Sequence, residues 1–70
     1  MKNTIKVERA RVDMTQADLA AKVNVSRQTI NSIEIGKYVP STLLALKIAS
    51  VFNVSVHEIF VLQPEDWHSS

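Results

Sequence analysis

Arg27, Gln28, Asn31 and Ser32 stand close together in the chain and carry a guanidinium, two carboxamides and a hydroxyl. A guanidinium or carboxamide can make two parallel hydrogen bonds to a planar partner. Hydroxyls at Thr15, Ser26 and Thr29, the amide of Gln16, the ammonium of Lys37 and the phenol of Tyr38 lie on either side. This is the chemistry of recognition, or else the solvated face of a surface helix. Bond-making chemistry finds little support. Asp18 and Glu34, and Glu65 and Asp66, are too isolated to act as a general acid–base pair in a pocket. His57 and His68 lie too far from other ligand-type clusters to hold a metal, and the chain has no cysteine. Its single glycine argues against a phosphate-cradling loop or a dinucleotide fingerprint. An enzyme is not expected, nor is a cofactor.

The elements that carry these groups are short. With 70 residues, the chain has room for one small core and no separate effector domain. Hydrophobic residues at 46% suit a globular protein. No apolar run reaches the roughly 18 residues of a membrane span, and no signal peptide is evident, so the expected location is the cytoplasm. Thr15, Ser26, Ser41 and Ser55 read as helix N-caps. Thr15 with Asp18 and Ser55 with Glu58 have capping-box spacing. Asn24, Gly36 and Asn53 read as stops that accept a left-handed backbone. These signals predict helices over about 4–11, 16–23, 27–34, 42–52 and 56–60, then a short strand near 61–63 and a polar tail over 65–70.

Apolar spacing assigns the faces. Leu19 and Val23 share one side of the second helix, and Ile30 and Ile33 one side of the third. At 100° per residue, Gln28, Asn31, Ser32 and Ile35 then point outward, with Arg27 and Thr29 on the flanks. The second and third helices are separated by so few residues that they must cross steeply. Ala20 permits the close approach, Asn24 turns the corner and Val25 plugs it. Leu44, Ile48 and Val51/Phe52 form a stripe on the fourth helix, with Leu43 exposed. Ile59 and Phe60 close the core. On the first helix, Ile5 and Val12 are expected at a buried edge, and Lys2, Lys6 and Arg9 on one face. Charge is uneven. Residues 1–40 carry seven Lys/Arg against four Asp/Glu, and residues 41–70 carry one against three. A positive first half suits a polyanion.

The segments M-T-Q-A-D-L-A, S-R-Q-T-I-N-S-I-E, G-K-Y-V-P-S, L-A-L-K-I-A and I-F follow one another in this order. Together they resemble the Cro/C1-type (XRE) helix-turn-helix family of transcriptional regulators, over about residues 4–63. The ending I-F-V-L-Q-P-E is similar to that of small single-domain dimeric repressors of the cytolysin-regulator kind. Asn24 and Asn53 replace the usual glycines, Glu8 occupies a usually apolar position, and Thr42-Leu43 reverses the common order.

The resemblance implies an all-α fold: a five-helix lambda-repressor-like DNA-binding domain with a short C-terminal strand. Residues 1–70 would form one domain, with its core over 4–60, the helix-turn-helix over 16–35 and a dimerisation tail over about 60–67. It implies a regulator, most simply a repressor, that binds a pseudo-palindromic operator as a homodimer. The alternative is an antitoxin-like or adaptor module whose DNA binding is secondary. Arg27, Gln28, Asn31 and Ser32 would contact bases. Thr15, Gln16, Ser26, Thr29, Lys37 and Tyr38 would contact phosphates, although Tyr38 could instead pack on Pro40. Arg9 and Glu34 would form an internal ion pair. Phe60, Val61, Leu62 and Gln63 would pair with the same strand of a second chain, with Trp67 covering the join. Double-stranded DNA and a second copy are thus the implied partners, with no membrane.

Overall fold

Helices form where the caps and stops put them. The computed structural model describes residues 1–68, so the last two positions of the expected polar tail lie outside the described residues. The order is β1 (Lys2–Asn3), α1 (Ile5–Arg11), α2 (Gln16–Val23), α3 (Arg27–Glu34), α4 (Thr42–Val51), α5 (Val56–Ile59), β2 (Phe60–Val61) and a 3-10 helix (Pro64–Trp67). Thr15 and Asp18 form a reciprocal capping box at the start of α2. Hydrogen bonds from the Thr15 backbone N–H and hydroxyl hold the Asp18 carboxyl below its ordinary pKa. Ser26 accepts from the Thr29 N–H at 3.1 Å, and Ser41 from the Leu44 N–H at 3.2 Å. Asn24, Gly36 and Asn53 all take a positive φ, and Asp13 joins them at 54°.

The core is one cluster. Ile5, Leu19, Val23, Ile30, Ile33, Ile48 and Ile59 are buried, with Leu44, Ala20, Ala49 and Phe60 beside them. Val25 and Phe52 pack against it. Removing each large aliphatic chain from water is worth about 1.5–3 kcal/mol. The buried set draws on all five α-helices, so each is held by packing against the others.

Several expectations are corrected. Ser55 makes no side-chain cap. Helix α5 is a single turn, and the Glu58 N–H bonds the Ser55 carbonyl at 3.0 Å instead of the hydroxyl. Val12 is exposed, because α1 ends at Arg11 and the positive φ of Asp13 turns the chain away from the helical period. Lys2 is not on α1 but in β1, which pairs antiparallel with β2, Lys2 opposite Val61 and Asn3 opposite Phe60. The strand lies at 60–61, not 61–63, and it already has a neighbour within its own chain. Alternation along it turns Phe60 into the chain's own core and Val61 outward. Phe60 therefore closes its own chain's core, as its expected place beside Ile59 requires, and only its edge reaches the surface. Residues expected as polar tail form the 3-10 helix, capped by Asp66 accepting from the Gln63 N–H at 2.7 Å.

Thr4 begins α1 without a side-chain cap, and its hydroxyl oxygen is buried with no hydrogen-bond partner. A buried unsatisfied hydroxyl costs about 1–3 kcal/mol. Thr4→Val keeps the shape and removes that oxygen. It should raise stability by about 1 kcal/mol, or about 4–8 °C in Tm for a domain of this size. Thermal melts followed by circular dichroism measure it; a lower Tm would show that the hydroxyl does useful bonding.

Candidate nucleic-acid interface

Helix α3 is divided lengthwise. Ile30 and Ile33 are 0% and 2% exposed, while Arg27, Gln28 and Asn31 are exposed and Ser32 and Thr29 half-exposed. Ile35, at the end of the helix, is also exposed. The guanidinium and carboxamide groups thus stand on the solvent side of a helix whose other side is locked in the core. Ser26, Gln28, Thr29, Ser32 and Tyr38 line a shallow polar cleft of about 320 Å³ along that face. Across it the Ser26 and Thr29 hydroxyl oxygens lie 2.9 Å apart.

The turn between α2 and α3 sets their relation. Asn24 has φ 61°, ψ 48°, and the Val25 N–H bonds the Ala20 carbonyl at 3.0 Å, closing α2 as the chain reverses. Beyond α3, the Ser32 carbonyl accepts from both the Lys37 and Tyr38 N–H groups, at 2.9 and 3.2 Å. Gly36 carries the positive φ of 84° that this turn needs. The turn leaves the side chains of Lys37 and Tyr38 exposed beside the outer face.

Gln16, at the start of α2, reaches the same face. Its Nε2 donates to Asn31 Oδ1 at 3.2 Å and to Glu34 Oε1 at 3.1 Å. Arg27 Nη1 lies 3.5 Å from Gln16 Oε1. Gln16, Arg27 and Asn31 therefore form one polar chain across two helices, while Thr15 stays exposed at the α2 N-terminus. Free N–H groups and the helix dipole there favour an anion.

Glu34 ends this chain at a strong ion pair. Arg9 donates through Nε to Glu34 Oε2 at 2.7 Å and through Nη2 to Oε1 at 3.1 Å. Its Nη1 donates to the Met14 carbonyl at 2.9 Å. The hydrogen bond to Glu34 raises the Arg9 pKa above its ordinary value, against the opposing effect of burial. The expected Arg9–Glu34 pair is present, with both side chains largely covered. The Met14 contact had no sequence signal. Nor did Asn3, whose Nδ2 donates to the Ile33 carbonyl at 2.9 Å from 30 residues away.

In the C-terminal segment Val61, Leu62 and Trp67 are exposed, Gln63 is half-exposed, and Phe60 lies in the core. Leu43 and Leu46 on α4 are 65% and 53% exposed. Among the described residues no group of three potential ligands could hold a metal, and no helix is long and apolar enough to cross a membrane.

Two short helices meeting at a left-handed corner, the second with one apolar and one polar side, define a helix-turn-helix. The helix-turn-helix family model matches residues 5–59. An uncharacterized HTH-type transcriptional regulator of Methanocaldococcus jannaschii is 52% identical over 66 residues, covering 94% of this chain and the whole of that protein. One of Archaeoglobus fulgidus is 48% identical, covering 94% of this chain and 93% of that protein. The HTH-type regulator YgzD of Bacillus subtilis is 47% identical, covering 94% of this chain and all of its own. The chain belongs to the Cro/C1-type helix-turn-helix family.

Removing one partner of a covered ion pair strands the other, at about 3–5 kcal/mol. Arg9→Ala should therefore cost about 3 kcal/mol. Arg11 is exposed, and its pair with the covered Glu8 is long, at 3.6 Å. Arg11→Ala should cost less than about 1 kcal/mol. Urea unfolding of both variants tests the ranking, and equal losses would contradict it.

Proposed function

We propose that this chain acts in the cytoplasm as a transcriptional repressor that binds a pseudo-palindromic operator as a homodimer. The helix-turn-helix match and the names of the relatives support DNA-binding transcription regulation. The observation that carries the reading further is the division of α3, with Arg27, Gln28 and Asn31 on its free side. In a major groove, Gln28 would pair with adenine N6/N7 and Arg27 with guanine O6/N7, with Asn31 and Ser32 reading neighbouring edges. Thr15 and Gln16 at the α2 N-terminus, and Ser26, Thr29, Lys37 and Tyr38 around the cleft, would hold phosphates and fix the register.

One such helix spans only a few base pairs. Two copies related by a two-fold axis would place two of them about 34–36 Å apart, one turn of DNA. An apolar surface beside the β1–β2 ribbon suits a second copy. Val39, Leu46 and Phe60 line a groove of about 350 Å³, and Leu43 lies one helical turn before Leu46. Val61, Leu62, Gln63 and Trp67 continue from its edge in the chain. A two-fold interface is self-complementary, so one apolar patch covers its own copy. A dimer seated on a promoter represses by occupying the groove that polymerase needs.

Gln28→Ala should weaken binding to a selected operator by about 1–3 kcal/mol and relax its sequence preference. Lys37→Ala should weaken binding to all sequences alike and reduce the salt slope by about one. Gel shifts at several salt concentrations, on duplexes enriched from a random pool, read both effects. Wild-type behaviour in both variants would show that another face binds.

A further inference from the structure

Asn3 touches three elements: β2, the start of α1 and the end of α3. Its backbone lies in β1 opposite Phe60, so it belongs to the ribbon that carries Val61. Its Oδ1 accepts from the Ile5 N–H at 3.2 Å, at the start of α1. Its Nδ2 donates to the Ile33 carbonyl at 2.9 Å. That carbonyl is in the last turn of α3, where helix carbonyls lack intrahelical donors, and it also accepts from the Gly36 N–H at 3.1 Å. A lone carbonyl at a helix end is ordinarily satisfied by the following turn or by water. Here a side chain from 30 residues earlier in the sequence supplies the second donor, at a partly buried position.

The other polar tie to the end of α3 is different in kind. Arg9 and Gln16 meet at Glu34, and both belong to the helices that surround α3. They tie α3 to α1 and α2. Only Asn3, among the described hydrogen bonds, joins the end of α3 to the β1–β2 ribbon. The ribbon and the groove beside it are the surface assigned above to the second copy. The tilt of α3 relative to that surface decides where the two recognition helices of a dimer would fall on DNA.

We propose that Asn3 is a positioning residue for operator recognition: by holding the Ile33 carbonyl to the ribbon, it sets the separation and tilt of α3 relative to the dimer axis. It touches no base. It acts through α3, and its effect is confined to operators engaged by two copies at once. The proposal rests on the homodimeric reading above.

Asn3→Asp separates its roles. The variant keeps an oxygen for the Ile5 N–H and turns the donor facing Ile33 into a second acceptor. Wild-type and variant chains are compared on a full operator enriched from a random pool, on the same duplex with one arm scrambled, and on operators with one base pair added or removed at the centre. The variant should lose about three- to tenfold on the full operator, the cost of resetting α3 on binding being bounded by the worth of the one bond removed, with half-site affinity unchanged. Its preference for the native spacing should flatten. An equal loss on full and half sites would mean that Asn3 only supports the fold, and would overturn the proposal, as would no loss at all. If the wild type itself bound full and half sites equally, the homodimeric reading would fall first and this inference with it. Should Asn3→Asp melt below the assay temperature, Asn3→Ser is read in the same way, since its hydroxyl can serve Ile5 but is too short to reach Ile33.

Discussion

The burial of Ile30 and Ile33 governs how this molecule presents itself. Helix α3 is eight residues long, so two side chains spaced three apart are enough to fix its rotation. Each is worth about 1.5–3 kcal/mol on leaving water. A polar tie contributes about 0.5–1.5 kcal/mol net. Rotating α3 to bring Gln28 inward would expose both isoleucines and bury an unpaired carboxamide. Burial therefore decides the orientation, and the polar contacts refine it. The outward stance of Arg27, Gln28 and Asn31 is a consequence of the core.

Refinement comes from a continuous set of polar bonds. Arg9 holds Glu34, Glu34 and Asn31 share the Gln16 amide, and Arg27 approaches the other end of that amide. The set begins at a largely covered ion pair and ends at exposed groups. Its inner end loses little to solvent screening. Its outer end keeps its side chains free to exchange partners with a ligand. Gln16 thus has a second role beside the one its position at the α2 N-terminus implied, since its amide is already engaged with α3.

Local physics made most of this readable in the sequence. Caps at Thr15, Ser26 and Ser41 and left-handed stops at Asn24, Gly36 and Asn53 depend on neighbours within a few residues, and they form as spacing implies. The inner and outer faces of α3 follow from its period alone. Ser55 misled because a one-turn helix closes through backbone bonds and leaves its hydroxyl out. Val12 misled because Asp13, a residue with no obvious stop signal, takes the left-handed conformation. The pairing of Lys2–Asn3 with Phe60–Val61 joins the two ends of the chain. No local pattern announces two-residue strands so far apart, and with them went the role of Asn3. The Arg9–Glu34 pair is also distant in sequence, and it was legible only through resemblance to a family.

Amide chemical-shift mapping shows which face of the molecule meets DNA. A duplex enriched from random DNA is titrated into the labelled chain. The largest shifts are expected along the free side of α3, at Arg27, Gln28, Asn31 and Ser32, with smaller ones at Thr15, Gln16 and Lys37. Shifts confined to α4, β2 and the 3-10 helix, with the outer face of α3 unmoved, would contradict the assignment of that face to DNA.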